Sequence, residues 1–268
     1  MKTSRRAFLG WAGAGLMGAT VAGRAHAKEL AKDCELMALG VPSAIGVSEK
    51  YDDDGKALSF PGNTILCHLN QPGPIHTALA EITAALHAKV GNKNITWTPP
   101  SSYHMTVFDG ALDSRRRPGD WPHQLPLDAS LDECNRYVGE RLKQFDLGMD
   151  LPIRMVADEA LATRTNTQFP LRPIDDAENK RLCNLRDRLT EATGIRHPNH
   201  DSYGFHSTFG YYIRQFETVA EERRYQSLWL DAIRELRLRV PVIELGAPEY
   251  CLFDTMDEFK TQFLLARR

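Results

Sequence analysis

His104 with Thr106, and His206 with Thr208, are the residues of this chain whose types and spacing point most directly to chemistry. Each pair sits in a run of aromatic and apolar residues, Ser102-Tyr103-His104-Met105-Thr106-Val107 in one case and Ser202-Tyr203-Gly204-Phe205-His206-Ser207-Thr208-Phe209 in the other. In a β-strand, successive side chains point to opposite faces. His104 and Thr106 then share an open face, while Tyr103, Met105 and Val107 share a buried one. The second run repeats the pattern, with His206 and Thr208 open and Phe205, Ser207 and Phe209 buried. Two such strands facing one another surround a small anion with two imidazoles and two hydroxyls. Imidazole titrates near neutrality, so one ring can accept a proton while its twin donates one. The threonine hydroxyls would bind phosphoryl oxygens and stabilise the charge that builds up on them. This is general acid/base chemistry for a phosphoester, and it calls for no metal and no other cofactor. With 9 His and 17 Thr in 268 residues, chance supplies about 0.6 His-x-Thr triplets at average usage. A single triplet would therefore mean nothing; the shared Ser-Tyr lead-in and the apolar alternation give the pair its weight.

The flanking sequence supplies elements that can position both motifs. In the first half, 64–69 reads as a strand, and Pro74 opens a helix with Leu79, Ile82, Leu86 and Val90 at helical spacing. Strands at 95–97 and 103–108 follow, separated by Pro99-Pro100. Ser130 with Glu133 forms a capping-box signature for the next helix. The second half opens with a strand at 151–156. The stretch 163–169 alternates like a strand lining a groove, which makes Arg164 a candidate phosphate or base contact. Asp175 with Glu178 begins a helix that Gly194 is suited to end. A third box, Thr218 with Glu221, opens another helix, and strands at 240–245, 249–253 and 259–265 are expected to complete this half. Helices interleaved with antiparallel-looking strands argue for an α+β fold rather than a doubly wound sheet.

The paired His-x-Thr motifs, about a hundred residues apart and each following a strand–helix–strand pattern, resemble the two-histidine (2H) phosphoesterase superfamily, also called LigT-like. The resemblance implies two pseudo-symmetric lobes, each an antiparallel sheet with helices packed on the outside, forming a central groove. It places His104, Thr106, His206 and Thr208 in the site. The activity it implies is that of a phosphodiesterase acting on 2′,3′-cyclic nucleotides or related RNA-terminal phosphoesters. The chain differs from compact members in a long insert after the first motif.

That insert, residues 109–128, contains Arg115-Arg116-Arg117 and Trp121 and leaves directly from the first motif strand. Loops of this length are usually functional or disordered, so it is a candidate flap bringing Arg115 and Trp121 to a substrate, although charge runs are commonly only solvated surface. Tyr103, Tyr203 and Tyr212 are candidate base-stacking residues, with core packing as their ordinary alternative. His197, His200 and Asp201 offer a rival, metal-dependent hydrolase site; a polar loop is the ordinary reading of such a cluster. A nucleotide-binding protein without catalysis is the other rival. The five cysteines are scattered singly, as buried thiols are, although an oxidising compartment would allow one disulfide. No glycine-rich phosphate loop, G-x-S-x-G elbow or H-E-x-x-H motif occurs, which argues against triphosphatases, the usual serine esterases and zincins.

At the N-terminus, Arg5-Arg6, an apolar glycine-rich run and Ala25-His26-Ala27 have the parts of a twin-arginine export signal cleaved after Ala27. The expected divisions are thus a leader at 1–27, a first lobe within 28–150 and a second within 151–268. The expected location is periplasmic, with the twin-arginine export machinery as a partner and no membrane association after cleavage. Removing the leader takes four of the 33 basic residues and no acidic one, leaving 29 against 35 and a net charge of −6. An acidic protein is a poor binder of long polyanions. The expected partner is therefore a small phosphoester or an RNA terminus, not a long nucleic acid.

Overall fold

The computed structural model describes residues 48–162 and 166–268; the expected leader and Arg164 lie outside the described residues. The first half runs β1 (Gly62–His68), α1 (Pro74–Val90), β2 (Ile95–Trp97), β3 (His104–Leu112) and α2 (Leu131–Lys143). The second runs β4 (Ile153–Ala157), β5 (Gln168–Pro173), α3 (Asp176–Thr193), β6 (His206–Thr208), β7 (Gly210–Tyr212), α4 (Val219–Arg239), β8 (Ile243–Leu245), β9 (Glu249–Thr255) and β10 (Glu258–Leu264).

Local chemistry accounts for the helix boundaries. Pro74 opens α1 where its missing N–H has no partner to lose. Ser130 and Asp175 cap α2 and α3 by accepting from the backbone N–H of Glu133 and Glu178. Thr218 and Glu221 close both halves of a capping box at α4. Gly194 ends α3 in the left-handed conformation, φ 73°, where a side chain would be strained.

The strands form two four-stranded antiparallel sheets, ordered β10-β9-β1-β3 and β6-β5-β4-β8, and a two-stranded ribbon, β2-β7. With helices α2 against β1 and β9, and α4 against β4, this is an α+β fold. Each His-x-Thr strand is the edge of its own sheet. One expectation is corrected here. The C-terminal hairpin does not complete the second half; β9 pairs with β1, Cys251 opposite Thr64. The ribbon likewise pairs β2 of the first half with β7 of the second. The halves therefore exchange strands rather than dividing at residue 150. Alternation of residues such as Tyr250 and Phe253 reveals a buried face but not which neighbour the strand will choose.

One core unites the two sheets, with Ile65, Met105 and Val107 from the first, Met155, Phe169 and Leu171 from the second, and Leu79, Leu182 and Trp229 from helices. A smaller cluster of Tyr51, Phe60, Leu66, Phe253 and Phe259 lies under the segment 48–61, against the opposite face of β1. Cys67, Cys134 and Cys251 are buried free thiols and Cys183 is an exposed one. Among the described residues, no helix is long and apolar enough to cross a membrane.

Candidate active site

A cleft of about 520 Å³ contains His104, Thr106, His206 and Thr208 in its lining. The alternation that brings them there runs as the sequence predicts: Tyr103, Met105 and Val107 are buried behind β3, and Phe205, Ser207 and Phe209 behind β6. Both histidines are oriented alike. His104 Nδ1 lies 2.6 Å from the Ser102 carbonyl and His206 Nδ1 lies 2.8 Å from the Gly204 carbonyl. A carbonyl only accepts, so each Nδ1 carries the proton and donates it. In each neutral ring Nε2 is then the free basic nitrogen.

The two rings differ electrostatically. Desolvation, opposed by the Ser102 carbonyl and aided by His68, His206 and Lys50, brings His104 down to about 4. His206 is also lowered, first by desolvation and further by Lys50, while its backbone bond and the Asp109 carboxylate pull it back up. Phe259 packs on His104 with ring centroids 4.2 Å apart, forming an apolar wall on that side.

Asp109 reaches the cleft because β3 is irregular. The register pairs Leu66 with Thr106 but Ile65 with Phe108, so Val107 is an extra residue on the β3 side. Strict alternation from His104 would bury Asp109 and expose Phe108; the bulge reverses this, and Phe108 enters the core while Asp109 lines the cleft. Arg186, on α3, donates to the carbonyl of Val107 at 2.6 Å and to that of His200 at 3.3 Å. Its guanidinium lies 4.2 Å from the centre of the Tyr203 ring. One buried cation thus ties the bulge of the first motif strand to the turn that leads into the second.

Several cleft residues were not singled out from sequence. Gln168 stands directly opposite Thr208 and shares its face. Lys50 and Tyr211 come from a segment and a strand outside both motifs. The one cue was positional, since a residue opposite a motif threonine shares its face once the strand pairing is known.

The other sequence candidates divide. Tyr203 lines the cleft beside His206, 6.4 Å between centroids; burial and then the Asp109 carboxylate hold its phenol well above the ordinary tyrosine value. Arg115 also lines the cleft, but is engaged with Glu49 at 2.7 Å. Tyr103 is core, 1% exposed. Tyr212 packs edge-on against Phe216 and Tyr225 and is absent from the cleft wall. Trp121 is corrected in the same way: it is buried, covered by Arg116 at 4.8 Å, and donates to the Pro126 carbonyl. The insert is no free flap, since Arg196 N–H donates to the Gly119 carbonyl and His123 N–H to that of Gly194. Its apolar and backbone groups found partners in the loop after α3.

Of the rival metal cluster, His200 and Asp201 come together with Asp187, their ligand atoms all within 4.8 Å of one another, and His197 is held elsewhere. His197 places Nδ1 2.8 Å from buried Asp120 and Nε2 3.0 Å from the Gly110 carbonyl, so both ring nitrogens are engaged away from His200. His200 Nε2 instead meets Asp187 at 3.0 Å. Arg196 ion-pairs with both Asp187 and Asp201.

Residues 50–166, which include the first motif, match the family profile 2H-phosphodiest, described as a domain of unknown function (DUF1868). Over this segment, a little under half of the chain, the sequence is similar to the two-histidine phosphoesterase family, and the match supports a phosphoesterase-type function. A solved structure similar to it is that of a conserved protein of unknown function, ATU0111, from Agrobacterium tumefaciens strain C58. The two chains are 29% identical, with 84% of this chain and 93% of that one covered and a TM-score of 0.73. No curated protein matches the sequence.

Proposed function

We propose that the protein is a metal-independent phosphodiesterase acting on 2′,3′-cyclic nucleotides or related RNA-terminal phosphoesters. The observation that carries this reading is the matched pair of imidazoles, each donating from Nδ1 to a backbone carbonyl two residues back and so leaving Nε2 for chemistry. His104, the more strongly held neutral, is the general base: its Nε2 takes a proton from water as the water oxygen bonds to phosphorus. His206, which has Asp109 as its neighbour, is the general acid, and its Nε2 proton passes to the ribose oxygen as the P–O bond breaks. Thr106 and Thr208 hold phosphoryl oxygens. Tyr203 and Tyr211, both on the cleft wall, face the nucleoside. Action in the periplasm, after twin-arginine export, rests on the motifs in residues 1–27.

Hydrolysis of the four 2′,3′-cyclic nucleotides by residues 28–268, with and without EDTA, tests the reading. Turnover that survives chelation supports it. Tight nucleotide binding without turnover, or turnover that EDTA abolishes, overturns it.

A further inference from the structure

Lys50 enters the cleft from outside the duplicated His-x-Thr framework. Its backbone is fixed on both sides: the N–H donates to Ser48 Oγ at 3.1 Å, and the carbonyl accepts from Leu58 N–H at 2.9 Å. Ser48 N–H is in turn anchored to the Tyr212 carbonyl on β7 at 3.0 Å. From this anchor the side chain runs over two aromatic rings, with Nζ 4.9 Å from the centre of Tyr211 and 5.3 Å from that of Phe60. The ammonium itself sits over the two rings, and these cation–π contacts hold it in one place.

The other cations of the cleft region are committed. Arg115 pairs with Glu49, Arg117 with Asp120, and Arg186 donates to two backbone carbonyls. Among the described residues, Lys50 Nζ has neither a hydrogen bond nor an ion pair; Asp109 and Glu49 act on it only at longer range. A partly desolvated ammonium that has two ring faces but no hydrogen-bond acceptor stays under-solvated until an anion completes its surroundings. Lys50 lines the same cleft as both histidines and lowers the proton affinity of each, so its charge is felt at both.

Resting on the phosphoesterase reading, we propose that the Lys50 ammonium is the phosphoryl-binding cation of this site, contacting a non-bridging oxygen between the two imidazoles. Water adds to phosphorus, His104 removes its proton, the bond to the ribose oxygen breaks and His206 protonates that oxygen. Lys50 keeps its own proton throughout and stabilises the negative charge that grows on the non-bridging oxygens. Lysine suits this role because its compact charge offers donors in several directions. The site thus has a fixed organic cation facing the two-histidine pair.

The test compares wild type with Lys50→Met, which keeps length and packing without charge, and with Lys50→Arg. Inorganic phosphate is titrated against the histidine ring resonances, and hydrolysis of 2′,3′-cyclic AMP is followed against pH. Lys50→Met is expected to weaken phosphate binding at least tenfold and to lower kcat about a hundredfold, in line with losing one preorganised donor. Its acidic limb in kcat/KM should move to higher pH, because removing a cation lets His104, which also faces His68 and His206, hold its proton more strongly. Lys50→Arg should recover most of the binding. Phosphate affinity, kcat and the acidic limb all unchanged in Lys50→Met would overturn the role of Lys50 while leaving the phosphoesterase reading in place. A wild-type protein that neither binds phosphate nor turns over the nucleotide would overturn both.

Discussion

The two motif strands share a three-residue signature and differ in nearly everything that follows it. β3 runs nine residues, pairs along β1 and carries a bulge at Val107. β6 stops at Thr208 after three residues, and the chain resumes as β7 on a different partner, β2. The bulge places Asp109 in the cleft, where its carboxylate favours the charged form of His206. The short strand of the other half lets Tyr211 enter instead. Duplication supplies two alike histidines, and irregularities one residue in size give them different electrostatic neighbours. Two rings held alike by their backbone carbonyls thereby sit in unequal fields, the asymmetry on which the proposed division into base and acid rests.

Replacing the rings tests the shared part of the comparison. His104→Ala and His206→Ala should each reduce kcat/KM for a 2′,3′-cyclic nucleotide by about a hundredfold or more. Equal loss in both means both transfer protons, whereas one active variant would leave a single catalytic histidine. Arg186→Leu attacks the tie between the strands. Losing the buried bonds to Val107 and His200 should lower stability by about 2 kcal/mol, measured by urea unfolding; an unchanged midpoint would show that the bulge holds itself. Asp109→Asn sharpens the difference between the rings, with an expected loss of about tenfold at pH 7. The sign follows from its carboxylate, which raises His206: without it His206 deprotonates at lower pH, so the basic limb shifts to lower pH and the acidic limb, belonging to His104, stays. In the wild type the free-enzyme profile should rise through about pH 4 as His104 loses its proton. It should fall below the ordinary imidazole value near 6.5 as His206 loses its own. An optimum above pH 8 would be incompatible with two lowered imidazoles in either role and would overturn the two-histidine mechanism. The smallest expected effects come from Thr106→Val and Thr208→Val, about fivefold each, the size of one neutral hydrogen bond.

The share of this site that was legible in the sequence is the share governed by short-range periodicity. The faces of 103–107 and 205–209, the Pro74 and Thr218 helix starts and the Gly194 cap all follow from spacings within a few residues. Asp109 was hidden because a bulge breaks period two, and no residue type at Val107 announces it. Gln168 and Lys50 were hidden because strand pairing and a wrapping segment bring them in from far along the chain. Trp121 and Tyr212 misled for the opposite reason: an aromatic residue near a motif satisfies the pattern of a stacking platform, but burial gave each a larger return in the core.

The hairpin of β9 and β10 on β1 also bears on how the molecule is made. β1 is buried along nearly its whole length, and one of its two edges is covered only by the last strands of the chain. A ribosome that has finished the first motif has therefore exposed a bare, sticky ladder of unpaired amides, and a fragment ending after α4 keeps that ladder open to self-pairing. Because the pairing spans most of the sequence, closing it is entropically slow and comes late. Assembly of the first motif's sheet is in this sense gated by completion of synthesis, and chain truncation anywhere before Glu249 should yield aggregate rather than a half-site.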